Sequence, residues 1–374
     1  MHRSDVPSTS RGVEQSSIAR VAQSSPTAAL RAGVRADGVA GDSRQCAVKA
    51  ADVRHLLRDR LALLTGGRDR RGRPVVTFPS RPNADRTVID DIRMVLLYLY
   101  TVPSDESKEL GFVVVIDMRH KTTWNAVKPI LKTLQEYFPG VVHAVYIIKP
   151  NDFWEKQKAN MSLGKYKFEV QLVSLNGLSK FVEPGQLTAD LDGQLFYDHD
   201  DWLELRLALE DLIWRCVDVM SVFGGVKEEL ENGQLPVDAD SARLAVASMK
   251  ALRERMNRQP VDRLQAEGRQ LIHKLTGPSC NGSLNGVDSD YGSGGGRDGQ
   301  LNPDFVSAVP HVTSLLSRMS DTRQELAHKW QSRRAHMDQC YQLKLFESDA
   351  EKVGCRSRRT SIVLSLKKLP WRRL

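Results

Sequence analysis

An α/β domain followed by an all-α three-helix bundle is what this sequence predicts, and three patterns predict it. From Trp202 to Leu230 the apolar residues keep an unbroken 3-4 spacing: Trp202, Leu205, Leu209, Leu212, Cys216, Val219, Phe223, Val226 and Leu230. Such a repeat forms a seam along one side of a helix, and other helices must bury it. Two further runs repeat it: Ala242, Ala245, Met249, Leu252 and Met256, then Val309, Val312, Leu316, Met319, Leu326, Trp330 and Met337. Ahead of them, over 47–200, short β-branched runs alternate with amphipathic stretches, the pattern of a mostly parallel or mixed sheet with covering helices.

In chain order, residues 1–46 are rich in Ser, Ala, Arg and Gly without periodicity and predict disorder. Val53, Leu56, Leu57, Leu61 and Leu64 predict a helix over 47–64, ended by Gly66-Gly67. Pro74 to Phe78 is a short strand, 88–101 a helix, and Phe112 to Ile116 a continuous apolar run suited to a strand covered on both faces. A helix over 123–138 stops at Pro139-Gly140, and Val142 to Ile148 is the next strand. Asn151 to Asn160 predicts a helix with Asn151 as its N-cap and Phe153-Trp154 upon it. Val170 to Leu175 is a strand and Asn176 to Val182 a short helix. A long helix near 199–231 follows, which Gly224-Gly225 would bend or fray, with Asp200 or Asp201 as its cap. The second bundle helix, 238–275, holds Pro260 and should kink there; the third covers 304–350. Residues 277–303, rich in Gly, Ser, Asn and Asp, are a flexible insert between them.

Charge and cysteines narrow the function. The net charge of +8 sits at the ends of the chain. Residues 354–374 carry seven Lys/Arg and no acid, and 1–46 carry six Arg against four acids, which leaves the body near −1. A near-neutral body has no electrostatic footprint for nucleic acid. The five cysteines are scattered, with no CxxC pair, which fits a reducing cytoplasmic setting. There is no secretory signal and no apolar run long enough to span a membrane. Phosphate-loop, nucleophile-elbow and zinc motifs are missing, so neither a catalytic residue, a cofactor nor a metal ligand is expected. Gly66 to Gly72 contains glycines and arginines that could face a phosphate, but it precedes the strand and is expected to be the turn leading into it.

Several stretches carry a resemblance. LTGGRDRRGRPVVTFPSR (64–81), VVVIDMR (113–119), IIKPNDFWEKQK (147–158) and LVSLNGLSKFVEPGQLTADLDG (172–193) resemble the N-terminal CRAL-TRIO domain of the Trio/kalirin family of Rho guanine nucleotide exchange factors. The seam helices and QCYQLKLFESDAEKV (339–353) resemble the first spectrin repeat that follows it there and its lead into the second. The resemblance implies an α/β CRAL-TRIO-like domain over 47–198, an all-α three-helix spectrin-type bundle over 199–350, and a basic tail from 351. The similarity stops after Val353, which implies a short isoform or a truncated gene model with an intron-derived tail, without exchange domains and hence not an enzyme. Implied partners are a phosphoinositide or other anionic membrane lipid, and proteins docking on the spectrin repeat. Rho-family GTPases would be reached only through a full-length parent, in actin remodelling and axon guidance. Localisation would be cytoplasmic, in part peripheral at membranes.

In such a fold lipid tails can lie against a sheet face. Val114, Ile116, Tyr146 and Ile148 are the candidate tail-facing residues; the alternative is that they pack against covering helices. Arg119, Lys121, Lys128, Lys149, Lys165 and Lys167 are the candidate headgroup contacts; the alternative is solvated surface charge. A soluble lipid-exchange protein, or a protein-binding regulator with a vestigial pocket, are the rival readings. A complete apolar cavity favours the first and a filled sheet–helix interface the second. The tail from Arg356 mixes basic with apolar residues and could lie on an anionic membrane. Trp202 and Trp330 are expected in bundle cores.

Overall fold

The structure, a computed structural model, describes residues 48–82, 84–120, 122–150, 163–233, 235–276 and 301–367, with side chains as far as Gly354. It divides into two compact units. One takes the chain up to Asp211 together with Arg269–His311, the other Leu212–Gly268 together with the chain from Val312.

The first unit is an α/β domain. Helix α1 (Arg54–Arg58) leads into strands β1 (Leu63–Arg68) and β2 (Pro74–Phe78). Then come α2 (Ile89–Thr101), α3 (Asp105–Glu109), β3 (Phe112–Asp117), α4 (Trp124–Tyr137), β4 (Val142–Ile148), β5 (Glu169–Val173) and α5 (Leu175–Leu178). The sheet order is β1-β2-β3-β4-β5, antiparallel between β1 and β2 and parallel thereafter. Crossovers between parallel strands are right-handed as a rule, which sets α2 and α4 on one face of the sheet. There Ile92, Val95, Leu96 and Leu99 of α2 and Val127, Ile130, Leu131 and Leu134 of α4 are buried.

The expected helix over 47–64 is a correction. It stops at Arg58, because Arg60 adopts a left-handed conformation (φ 51). The Leu61 amide donates to Leu56 O and the Arg60 amide to Leu57 O, the paired bonds of a Schellman stop. Leu63 onward is then a strand, and Gly66-Gly67 lie inside it rather than ending a helix. Gly67 is required there: a Cβ would stand 2.2 Å from Gln186 O, where the 3-10 turn Pro184–Gln186 crosses the strand. The glycine- and arginine-rich stretch supplies the end of β1 and the β1–β2 turn, in which Asp69 Oδ1 accepts from the amides of Arg71 and Arg73. The helix expected over 151–160 lies outside the described residues, as does the insert up to residue 300.

Helix α6 (His199–Asn232) runs without a break at Gly224-Gly225. Its cap is Asp198, not Asp200 or Asp201: Asp198 Oδ1 accepts from both of their amides. Of the first three seam residues, Trp202 and Leu209 are buried within the α/β unit and Leu205 is half-buried there; the Trp202 ring lies 6.4 Å from Phe305.

The second unit is helical. The rest of α6 contributes Leu212, Cys216, Val219, Phe223, Val226 and Leu230 to its core. The expected second helix is two: α7 (Ala239–Asn257) and α8 (Val261–Thr276). Pro260 separates them, since it cannot donate an amide within a helix and is accepted at a helix start. Asp238 and Ser241 close a reciprocal capping box on α7. Helix α9 (Pro303–Lys367) outruns its expected end, and Val312, Leu316, Met319, Leu326 and Met337 are its buried seam. Trp330 is half-buried, donating its indole N–H to Met249 O at 2.6 Å.

Candidate functional site

The register of the parallel strands decides which side chains share a face. Val114 pairs with Val145 and Ile116 with Ile147, whereas Tyr146 pairs with Val115 and Ile148 with Asp117. Paired residues point the same way and neighbours along a strand point oppositely. Val114 and Ile116 therefore face α2 and α4, while Tyr146 and Ile148 face the other side. The four candidate tail residues do not form one wall, because the two pairs are offset by one residue.

Among the described residues both faces are filled. On the helix side, a cleft of about 20 Å³ remains around Val114, beside Leu96, Leu99 and Leu134. Another of about 20 Å³ remains around Ile116, beside Phe78, Ile92 and Ile130. On the opposite side, Tyr146 and Ile148 join Val113, Val115, Leu178, Val182, Leu187 and Leu191 in one cluster. The Tyr146 ring stacks on Phe181 with centroids 4.2 Å apart. Ligand pockets run to roughly 300–1,000 Å³, so these clefts are water-sized and not lipid-sized.

The candidate headgroup residues fall into separate places. Arg119 lies just past the carboxyl end of β3, and its guanidinium donates twice to Asp117, at 3.0 Å each, and to Asp190 O. Asp117 is buried, and its hydrogen bonds hold the Arg119 pKa above its usual value. Arg119 is thus charged but already neutralised. Lys149 follows the carboxyl end of β4, where its amide donates to Val173 O, and Lys128 is exposed on α4. Lys165 and Lys167 precede β5, whose first residue pairs with Ala144 near the start of β4. They are exposed at the opposite end of the sheet from Arg119 and Lys149, and the Lys167 amide donates to Gln135 of α4. Lys121 lies outside the described residues, as do Phe153 and Trp154. A parallel sheet carries residues before a strand and residues after it to opposite ends, so spacing along the chain could not group these six.

Several buried polar groups carried no local signal. Arg68 pairs with Asp304, a residue 236 positions away. Asn302 donates to Thr65 O at 3.2 Å, and the Arg68 amide donates to Gln186 Oε1 at 2.9 Å. Together these bonds occupy polar groups of β1, an edge strand that would otherwise offer them to another chain. Tyr98, fully buried on α2, donates to Glu210 Oε1, which also accepts from Arg206 Nε at 3.0 Å. His199 is buried; its Nε2–H donates to Leu57 O at 2.6 Å, and Tyr197 O–H donates to its Nδ1 at 2.7 Å. Burial lowers the His199 pKa.

Among the described residues no cluster of three His, Cys, Asp or Glu could hold a metal ion, and no helix is long and apolar enough to cross a membrane. The helical unit has a larger cleft, about 370 Å³, lined by Glu229, Asn232, Ala245, Ser248, Met249, Leu252, Arg333 and Met337.

A mixed sheet with helices, followed by a helical region of spectrin type, defines the class of the fold. Residues 72–200 match the family of the divergent CRAL/TRIO domain, and the chain carries such a domain. It is similar to the SEC14 domain and spectrin repeat-containing protein 1 of Xenopus tropicalis, 32% identical over 296 residues, 77% of this chain and 39% of that protein. The protein of the same name from Homo sapiens is 31% identical over 301 residues, 79% of this chain and 40% of that one. Guanine nucleotide exchange factor DBS of Rattus norvegicus is 26% identical over 314 residues, 81% of this chain and 26% of that factor. These alignments are far longer than 72–200 and so take in helical sequence as well. The chain spans about 40% of the length of the first two relatives and about a quarter of the third.

Proposed function

We propose that this chain is a non-catalytic docking module in which 47–198 engages an anionic membrane surface, phosphoinositide first, and the spectrin-type helices over 199–350 dock proteins. The setting is Rho-family exchange-factor signalling to actin, including axon guidance, with cytoplasmic and peripheral membrane placement. The observation that carries this reading is the match of residues 72–200 to the divergent CRAL/TRIO domain, a lipid-binding class. The domain class supports lipid engagement; clefts of about 20 Å³ weigh against extraction of a whole lipid, the rival exchange-protein reading. The names of the relatives, one pairing a SEC14 domain with spectrin repeats and another an exchange factor, support the setting. The 370 Å³ cleft of the helical unit supports a docking role there.

Cosedimentation of the full chain at physiological salt, with phosphatidylcholine vesicles against the same vesicles carrying phosphoinositide, tests the lipid half. A modest preference for the phosphoinositide vesicles is expected. Equal sedimentation would leave the second reading, a protein-binding regulator with a vestigial lipid site. Neutralisation of Arg119 by Asp117 favours that second reading.

A further inference from the structure

Two Asn-Gly pairs lie among the described residues, and the fold treats them differently. An asparagine before glycine can modify itself. The backbone nitrogen of the glycine attacks the side-chain amide carbon, and a five-membered succinimide closes. The nitrogen's proton and the departing amide group leave together as ammonia. Water then opens either carbonyl of the ring, giving an aspartyl or an isoaspartyl linkage and a new carboxylate. Glycine favours the step because no Cβ hinders the approach. Closure also requires the peptide unit between the two residues to turn and its nitrogen to lose a proton. A fold that pins that unit by hydrogen bonds therefore slows the reaction.

Asn176-Gly177, in α5, is pinned on both sides. The Gly177 amide donates to Ser174 Oγ at 3.1 Å, and Asn176 O accepts from Ser179 Oγ at 2.7 Å. The next residue, Leu178, is fully buried, and its amide donates to Ser174 O. Asn232-Gly233 stands at the other extreme. Asn232 is the last residue of α6 and Gly233 the first beyond it, and both are exposed. Carbonyls of the last helical turn have no partner within the helix, and helix ends fray. A cation also stands beside this pair. Arg333 of α9 donates to Gly233 O, and a Cβ on Gly233 would lie 2.9 Å from Arg333 Nη2. A nearby guanidinium favours the ionised form of a group that loses a proton, here the attacking nitrogen.

We propose that Asn232 is a self-modifying site, which deamidates in the native chain while Asn176 stays intact, and that Arg333 promotes the reaction. The product changes its surroundings in a defined way. The new carboxylate sits at the carboxyl pole of α6, whose dipole disfavours it. Glu228, Glu229 and Glu231 are exposed on the same last turn. Glu229 already holds Arg255 at 2.5 Å, and Glu231 holds Lys329 at 2.7 Å. Arg333 is the cation beside position 232, so the carboxylate draws it away from Gly233 O. Asn232, Gly233 and Arg333 all line the cleft of about 370 Å³ in the helical unit, so the modification alters the charge on the wall of that cleft. This inference is independent of any lipid.

Ageing of the full chain at mildly alkaline pH tests it, followed by short tryptic digestion and mass spectrometry. Asn232 falls in the peptide 228–243 and Asn176 in the peptide 168–180. The first should turn into two isomeric acidic products on the order of tenfold faster than the second, with fragment ions placing the new acid at 232. In guanidinium chloride, where neither pair is pinned, the two rates should converge. Arg333→Gln should slow the reaction at 232 several-fold in the native chain and leave it unchanged in guanidinium chloride. Arg333 is half-buried, so helical circular dichroism should persist in this variant. A native Asn232 that ages no faster than Asn176, a native ratio of rates equal to the denatured one, or an Arg333→Gln rate equal to wild type would overturn the proposal.

Discussion

Glu210→Ala should be among the most damaging single substitutions in the α/β unit. Its carboxylate accepts three hydrogen bonds: Tyr98 O–H at 2.9 Å and Arg206 Nε at 3.0 Å on Oε1, and the Ala50 amide at 2.7 Å on Oε2. The Arg206 and Glu210 side chains are only 11% and 16% exposed. Burial raises the Tyr98 pKa, so this phenol remains a donor at every pH the protein meets. Alanine would leave a buried guanidinium, a phenol and an amide without their shared acceptor. Breaking a buried ion pair from one side costs about 3–5 kcal/mol, a large part of a typical domain stability of roughly 5–15 kcal/mol. Glu210→Gln keeps an acceptor and should lose about half as much. The double variant Arg206→Ala with Glu210→Ala should cost less than the sum of the singles, because no charge is then stranded. Urea unfolding of the full chain, followed by hydrogen exchange in peptides from β3 and β4, reports on this unit alone. A Glu210→Ala cost below about 1 kcal/mol, or strict additivity in the double variant, would show that water already solvates the network.

Gly67→Ala should destabilise the same unit by about 1–3 kcal/mol, since the new Cβ must push the backbone of Gln186 away from β1. Gly185→Ala, with nothing within 4 Å of its Cβ, should stay within about 0.5 kcal/mol; equal effects in urea melts would contradict the close approach. The buried His199 has a lowered pKa, so the unfolded chain takes up the proton first as pH falls below the ordinary 6.5. Its contribution is present above that pH and is lost as pH falls towards the folded-state value. Thermal midpoints should therefore drop from pH 7.5 to 5.5 less steeply in His199→Gln than in wild type, and equal slopes would remove His199 from the account. Finally, catalytic amounts of this chain should not speed release of labelled nucleotide from Rac or Rho, because its resemblance to exchange factors covers only the CRAL-TRIO and spectrin parts. Measurable acceleration would refute this.

Much of the framework was legible along the chain. The apolar runs of β3 and β4 lie where expected because a strand buried on both faces needs continuous β-branched residues. Helices α2 and α4 fall within a residue of their expected starts, and α4 ends before Pro139-Gly140. The seam of α6 is buried throughout its 3-4 positions from Leu209 to Leu230. Strand β1 was hidden, because Leu61 and Leu64 extend the helical spacing of α1. Only its pairing with β2, after the left-handed turn at Arg60, makes Leu63–Arg68 a strand.

The sequence by itself determined the two kinds of unit, since periods of 2 and 3.6 are local properties of short segments. The tertiary structure alone decided which faces those segments share. A one-residue offset between β3 and β4 sends Val114 and Ile116 to one side and Tyr146 and Ile148 to the other. Strand direction alone sends Lys165 and Lys167 to the far end of the sheet from Arg119 and Lys149. The pairings of Arg68 with Asp304 and of Tyr98 with Glu210 join residues more than a hundred positions apart. Hydrogen bonds and ion pairs act over a few ångströms, so only the folded chain could reveal which of its charges were already spent on one another.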